Sequence, residues 1–141
     1  MKSFAFSLEK VLRLRTHSED DAKIELGRAI AVLSELENNI AAIAQERARA
    51  AAAQFYPGNS AATMQQYMFY LARLDNTKEQ FLKEAAMAEL KVEEARETFI
   101  EASRERKVLD KLKEKKEKEH RKEMLAQETK ALDDAGTRRR G

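Results

Sequence analysis

The sequence predicts an all-α protein, an antiparallel two-helix coiled-coil hairpin whose second helix is the longer and overhangs the first. Three observations carry this expectation. Apolar residues recur alternately three and four positions apart over two long stretches, which is the spacing of a coiled-coil seam. The only dense cluster of turn-forming residues, Tyr56-Pro57-Gly58-Asn59-Ser60, lies between those stretches. Of 141 residues, 37% are charged, 6% are aromatic and none is Trp, which leaves little from which to build a thick globular core.

The first seam runs through Leu8, Leu12, Arg15, Glu19, Ala22, Leu26, Ala29, Leu33, Leu36, Ile40, Ile43, Arg47 and Ala50. It predicts a helix over about residues 8–54, with Ser7 as its cap and Phe6 and Val11 as a hydrophobic staple. A turn follows over about 55–61. Thr63 with Gln66 fits a capping box opening a second helix, over about 62–130. Its seam is Met64, Tyr67, Leu71, Leu74, Lys78, Phe81, Ala85, Ala88, Val92, Ala95, Phe99, Ala102, Arg106 and Leu109. Folding back at Gly58 pairs positions whose numbers sum to 117 or 118, so that Leu8 meets Leu109, Leu12 meets Arg106, Leu26 meets Val92, Leu36 meets Phe81 and Ile43 meets Leu74. Arg15, Arg47, Lys78 and Arg106 interrupt the seams. Their stems can cross an apolar seam while the charge reaches water, which sets register and disfavours drier, higher oligomers. A monomeric rod is expected, one coiled-coil domain over residues 1–141. From about residue 112 the second helix has no partner left on the first, giving a charged overhang and a frayed basic tail. Residues 104–123 hold ten Lys or Arg and six Asp or Glu, with Glu114 before Lys118 at a supportive spacing.

Chemistry is excluded more readily than it is found. There is no Cys, so no disulfide framework and no thiolate metal site. His17 and His120 lie far apart with no second ligand at metal spacing, and Gly27 and Gly58 stand alone with no phosphate-cradling loop. The carboxylate pairs Glu93-Glu94 and Asp133-Asp134 sit among cations on a face expected to be wet. No catalytic, cofactor-binding or metal-binding residue is expected, and no cofactor. A net charge of +2 gives no overall drive toward nucleic acid or acidic lipid. Arg138, Arg139 and Arg140 with the Lys-rich stretch offer a phosphate-binding alternative, which the interspersed Glu residues weaken. Neither a secretory signal nor a membrane span is expected.

Apolar residues off the seams are the candidates for binding. Phe4, Phe6, Leu14, Met68, Phe69 and Tyr70 qualify, with Phe55 and Tyr56 near the turn. Since Tyr67, Leu71 and Leu74 already fill the seam, Met68, Phe69 and Tyr70 are expected to project outward or along the edges, within reach of Phe55 and Tyr56, as a partner-binding patch.

The run Phe4-x-Phe6-x-Leu8-Glu9-Lys10-Val11-Leu12-x-Leu14-Arg15 resembles the opening of FliJ proteins, and Tyr67-Met68-Phe69-Tyr70-Leu71-Ala72-Arg73-Leu74 resembles the start of that family's second helix. The resemblance spans the chain, although only these two stretches discriminate. It implies a cytoplasmic, non-enzymatic protein at the cytoplasmic face of the flagellar basal body. Such a protein resembles the central stalk of rotary ATPases, sits in the ring of the flagellar export ATPase, contacts the membrane-embedded export gate and meets export chaperones. It would lie peripheral to the membrane and bind no nucleic acid. On that reading Arg73 joins the patch of Phe55, Tyr56, Met68, Phe69 and Tyr70, with Phe4 and Phe6 at the other end. Two alternatives stand beside it: a generic coiled-coil scaffold or chaperone-like protein, and the related stalk protein of an injectisome-type secretion system.

Overall fold

Two α-helices joined by a single turn make up the fold, and the computed structural model describes residues 3–140, with only the backbone of Arg140. α1 spans Glu9–Gln54 (46 residues) and α2 spans Ala61–Arg140 (80 residues), with no strand among the described residues. The expected helical hairpin with a longer second helix is what forms. The Arg140 side chain, part of the basic tail, lies outside the described residues, as do Met1, Lys2 and Gly141.

The turn is built by residue type. Pro57 and Gly58 occupy its two central positions, Gly58 has φ +95°, and the Asn59 N–H donates to the Tyr56 carbonyl at 3.2 Å. That is a type II turn, whose third residue needs a positive φ that glycine adopts without strain. Asn59 Nδ2 donates to the carbonyls of Ala53 (2.8 Å) and Gln54 (3.0 Å), satisfying two acceptors that the end of α1 leaves open. The cap of α2 is Ser60, not Thr63. Ser60 Oγ accepts from the Thr63 N–H at 3.1 Å and lies 2.9 Å from its hydroxyl. Ala61 and Ala62 are strong helix formers, so the helix opens on them and the capping position falls three residues earlier. At the start of α1 the main chain closes the first turn, Phe6 O accepting from the Glu9 N–H at 3.1 Å. No hydrogen bond to the Ser7 hydroxyl is found among the described residues.

Burial follows the two seams. Leu12, Ala22, Ala50, Ala85, Ala88 and Val92 are buried. Leu26, Leu33, Leu36, Ile40, Ile43, Tyr67, Leu71, Leu74, Phe81, Phe99 and Leu109 are half-buried. A helix pair covers each seam from one side only, so a half-buried Leu or Phe contributes roughly 1 kcal/mol, about half of full burial. Small Ala side chains are covered more completely because they lie close to the helix backbone.

The chain forms two compact units. In the unit Ala22–Thr98, Arg47 grips Asp75 across the helix pair, Nε to Oδ1 at 2.6 Å and Nη2 to Oδ2 at 3.3 Å. Gln54 Nε2 donates to the Met64 carbonyl at 3.4 Å. The other unit joins residues up to Asp21 with Phe99 onward. There Arg106 Nε donates to both oxygens of Glu19 at 2.8 and 2.9 Å and its Nη1 meets Asp110, Arg15 pairs with Glu105, and Lys113 Nζ reaches Glu9 at 2.9 Å. Three of the four seam-interrupting cations thus tie helix to helix. In this unit the partners on α2 lie several positions beyond those extrapolated from the turn, and Arg106 serves Glu19 instead of lying over Leu12. Long side chains reach along the seam to the nearest carboxylate, which layer counting does not anticipate. Arg106–Glu19 is part-buried and the other pairs are more exposed, so that they select register more than they supply stability.

The stretch beyond residue 112 is not without a partner. The non-helical segment 3–8 lies against it, the Phe4 ring centroid 5.6 Å from that of His120 at a 47° tilt. Phe4 shares a shallow cleft with His120, Met124 and Leu125, and Phe6 another with Lys116, Glu119 and Glu123. His120 and Met124 are half-buried, and continuous exposure begins only at Leu125. α2 also runs past the expected end near 130 to Arg140. Leu125, Ala126, Glu128, Lys130, Ala131 and Leu132 favour helix, and one Gly136 is insufficient to stop it.

Candidate partner-binding surface

The opening turns of α2 hold the patch that the sequence singled out, and the structure divides it. Tyr67, Leu71 and Leu74 face α1 and are half-buried. Their spacing forces Phe69 to the far side of the helix, where it is 63% exposed, with Met68 exposed on the flank. Gln66, Phe69 and Arg73 follow at three- and four-residue spacing and so share a face. With Thr63, Tyr67 and Tyr70 they line a shallow depression. Phe55 and Tyr56 are exposed at the turn but do not line it. Leu14 is exposed on α1.

Tyr70 is not a free surface ring. It is half-buried, and its hydroxyl donates to Glu46 Oε1 on α1 at 2.7 Å. The Arg73 guanidinium lies 5.8 Å from its ring centroid, within cation–π range. Glu46 also accepts from Arg49 Nε at 2.9 Å. Hydrogen bonds from Arg49 first and Tyr70 second hold the Glu46 carboxyl down at about 2, and that same carboxylate pushes the Tyr70 hydroxyl up. Tyr70 thus locks α2 to α1 directly beside Phe69 and fixes the rotation in which Phe69 points out. Phe4 and Phe6, the remaining candidates, belong to the other unit and lie against α2 there. Glu46 and His120, which hold Tyr70 and Phe4, carried no signal in the sequence beyond being polar helical residues.

Acid should loosen these cross-helix ties. Glu46, Glu19 and Asp75 are all held below the ordinary carboxylate range, Glu19 by Arg106 and Asp75 by Arg47. A carboxyl depressed in the folded chain stabilises it fully above its ordinary value. That contribution is lost as pH falls through the folded value, which for Glu46 means between about 4.5 and about 2. Thermal melts followed by circular dichroism should therefore fall across this window. Glu46→Gln should flatten part of the fall, and an identical fall in that variant would remove Glu46 from the account.

Among the described residues no group of three or more His, Asp or Glu side chains could hold a metal ion, and no helix is long and apolar enough to cross a membrane. Comparison with curated proteins and with solved structures yields no match. The family model described as "Flagellar FliJ protein" matches residues 4–140, nearly the whole chain and both stretches that carry the sequence resemblance. On that match, with which the two-helix hairpin agrees, the chain belongs to the flagellar FliJ protein family, a non-catalytic component of flagellar export.

Proposed function

We propose that this protein is the stalk-like coupling component of the flagellar type III export apparatus, binding the export ATPase ring and the membrane-embedded export gate without hydrolysing nucleotide. It works at the cytoplasmic face of the basal body, peripheral to the membrane, with export chaperones as further partners. The observation that carries the reading is Phe69, exposed with Met68 beside Arg73 on a helix whose seam needs neither. The neighbouring cross-helix bond of Tyr70 fixes the face of α2 from which Phe69 projects before any partner binds, as an exposed aromatic anchor requires.

Purification of tagged protein from its own cells, with mass spectrometry of what accompanies it, tests this reading. The export ATPase and a membrane gate component are expected. Recovery of unrelated helical proteins with neither of these would instead support a generic scaffold.

A further inference from the structure

We infer that residues 3–8 form a reversible strap which takes the place of α1 over the part of α2 that α1 cannot reach, and whose release bares His120 and Met124 without unfolding the rest of the chain. α1 begins only at Glu9, yet half-burial on α2 continues through Leu112, Glu117, His120 and Met124. Of those positions Leu112 lies beside Lys113, which Glu9 of α1 still reaches, and the strap covers His120 and Met124, with Phe4 against the His120 ring and in one cleft with Met124 and Leu125.

The strap is made to come off. Its residues have no helical ladder of their own, and the two main-chain bonds found, Glu9 N–H to Phe6 O and Leu12 N–H to Leu8 O, lie at its C-terminal end, where it joins α1. Phe4 and Phe6 are half-buried, Ala5 and Ser7 are exposed, and the ordering of six residues opposes the gain from two partly covered rings. What two half-covered rings return does not exceed the ordering cost of the segment, so opening comes at low free-energy cost. The helix beneath does not need the strap in order to remain helical. Glu114 and Lys118 pair at 3.5 Å and Lys116 and Glu119 at 3.6 Å within α2 itself. Opening therefore exposes an intact helical seam, which makes the event a change of surface and not local collapse. The Phe-x-Phe opening of the sequence thereby gains a role separate from the Phe69 face.

Amide hydrogen exchange on the whole chain tests the strap. In the wild-type protein, residues 112–128 are expected to exchange at least tenfold faster than those around Leu33 and Phe81. In Phe4→Ala/Phe6→Ala, exchange at 112–124 should rise a further threefold or more while Leu33 and Phe81 are unchanged, and Phe4→Leu should recover part of the protection. Two results would overturn the proposal. One is equal exchange at 112–124 in wild type and double variant, which would mean the strap covers nothing. The other is wild-type exchange there as slow as at Leu33, which would make the strap a fixed part of the fold. Neither result depends on the identity of the export partners.

Discussion

Val92→Asp is expected to lower the melting temperature by about 10 °C or more. Val92 is 6% exposed and sits among the buried Ala85 and Ala88 of the same helix, where α1 and α2 approach over small side chains. A carboxylate there would replace an apolar side chain that the seam keeps from water, and Asp is too short to carry its charge along the helix flank as the Arg stems do. Burying an unpaired charge costs roughly 3 kcal/mol or more, and for a chain of this size each kcal/mol moves the midpoint by about 3–5 °C. Leu90→Asp is the matched control, two residues away and exposed. It should change stability by less than about 0.5 kcal/mol, since exposed substitutions rarely do more. Thermal melts followed by circular dichroism separate the two, and equal losses would mean that the seam assignment is wrong.

The seams were legible because a long two-helix coil has only one way to bury anything. Each position from Leu12 to Leu109 that the spacing placed inward is now half-buried or buried, with the cations Arg15 and Arg47 the exceptions. The turn was equally legible, since Pro57 followed by Gly58 admits few backbone shapes. The caps were less so. Thr63 and Gln66 match a spacing rule, but a rule for the first helical turn cannot tell which of two hydroxyl residues, Ser60 or Thr63, precedes it when Ala61 and Ala62 are themselves good helix formers.

The missed contacts share one physical cause, side-chain reach. Helical spacing puts Tyr70 on a flank of α2, and from that alone it counted as exposed. A phenol is long enough to cross the flank and donate to Glu46. Arg106 likewise reaches Glu19 and Asp110. Phe4 and Phe6 were beyond periodicity altogether, because segment 3–8 is not helical and its packing against α2 comes from residues more than a hundred positions away. The overhang therefore begins near Leu125 and not near residue 112.

Phe69→Ala should weaken partner binding at least tenfold while leaving the melt unchanged. The ring is 63% exposed, so its removal opens no cavity, and the seam residues Tyr67, Leu71 and Leu74 are untouched. Truncating an aromatic anchor at an interface can cost about 2 kcal/mol or more, and every ~1.4 kcal/mol is tenfold in affinity. Tyr70→Ala should behave differently. It removes a cross-helix hydrogen bond as well as a ring, so stability and binding should fall together, whereas Tyr70→Phe loses only the bond, worth about 1 kcal/mol. The pair of positions separates a contact residue from the residue that positions it.

The most direct measurement is therefore the affinity of purified Phe69→Ala and wild-type protein for the purified export ATPase and for the purified gate protein, with melting temperatures recorded on the same preparations. An unchanged melt and at least a tenfold weaker Kd for one of the two partners are expected. Unchanged affinity for both, in a variant as stable as wild type, would contradict this expectation and leave the face around Phe69 without a role in export.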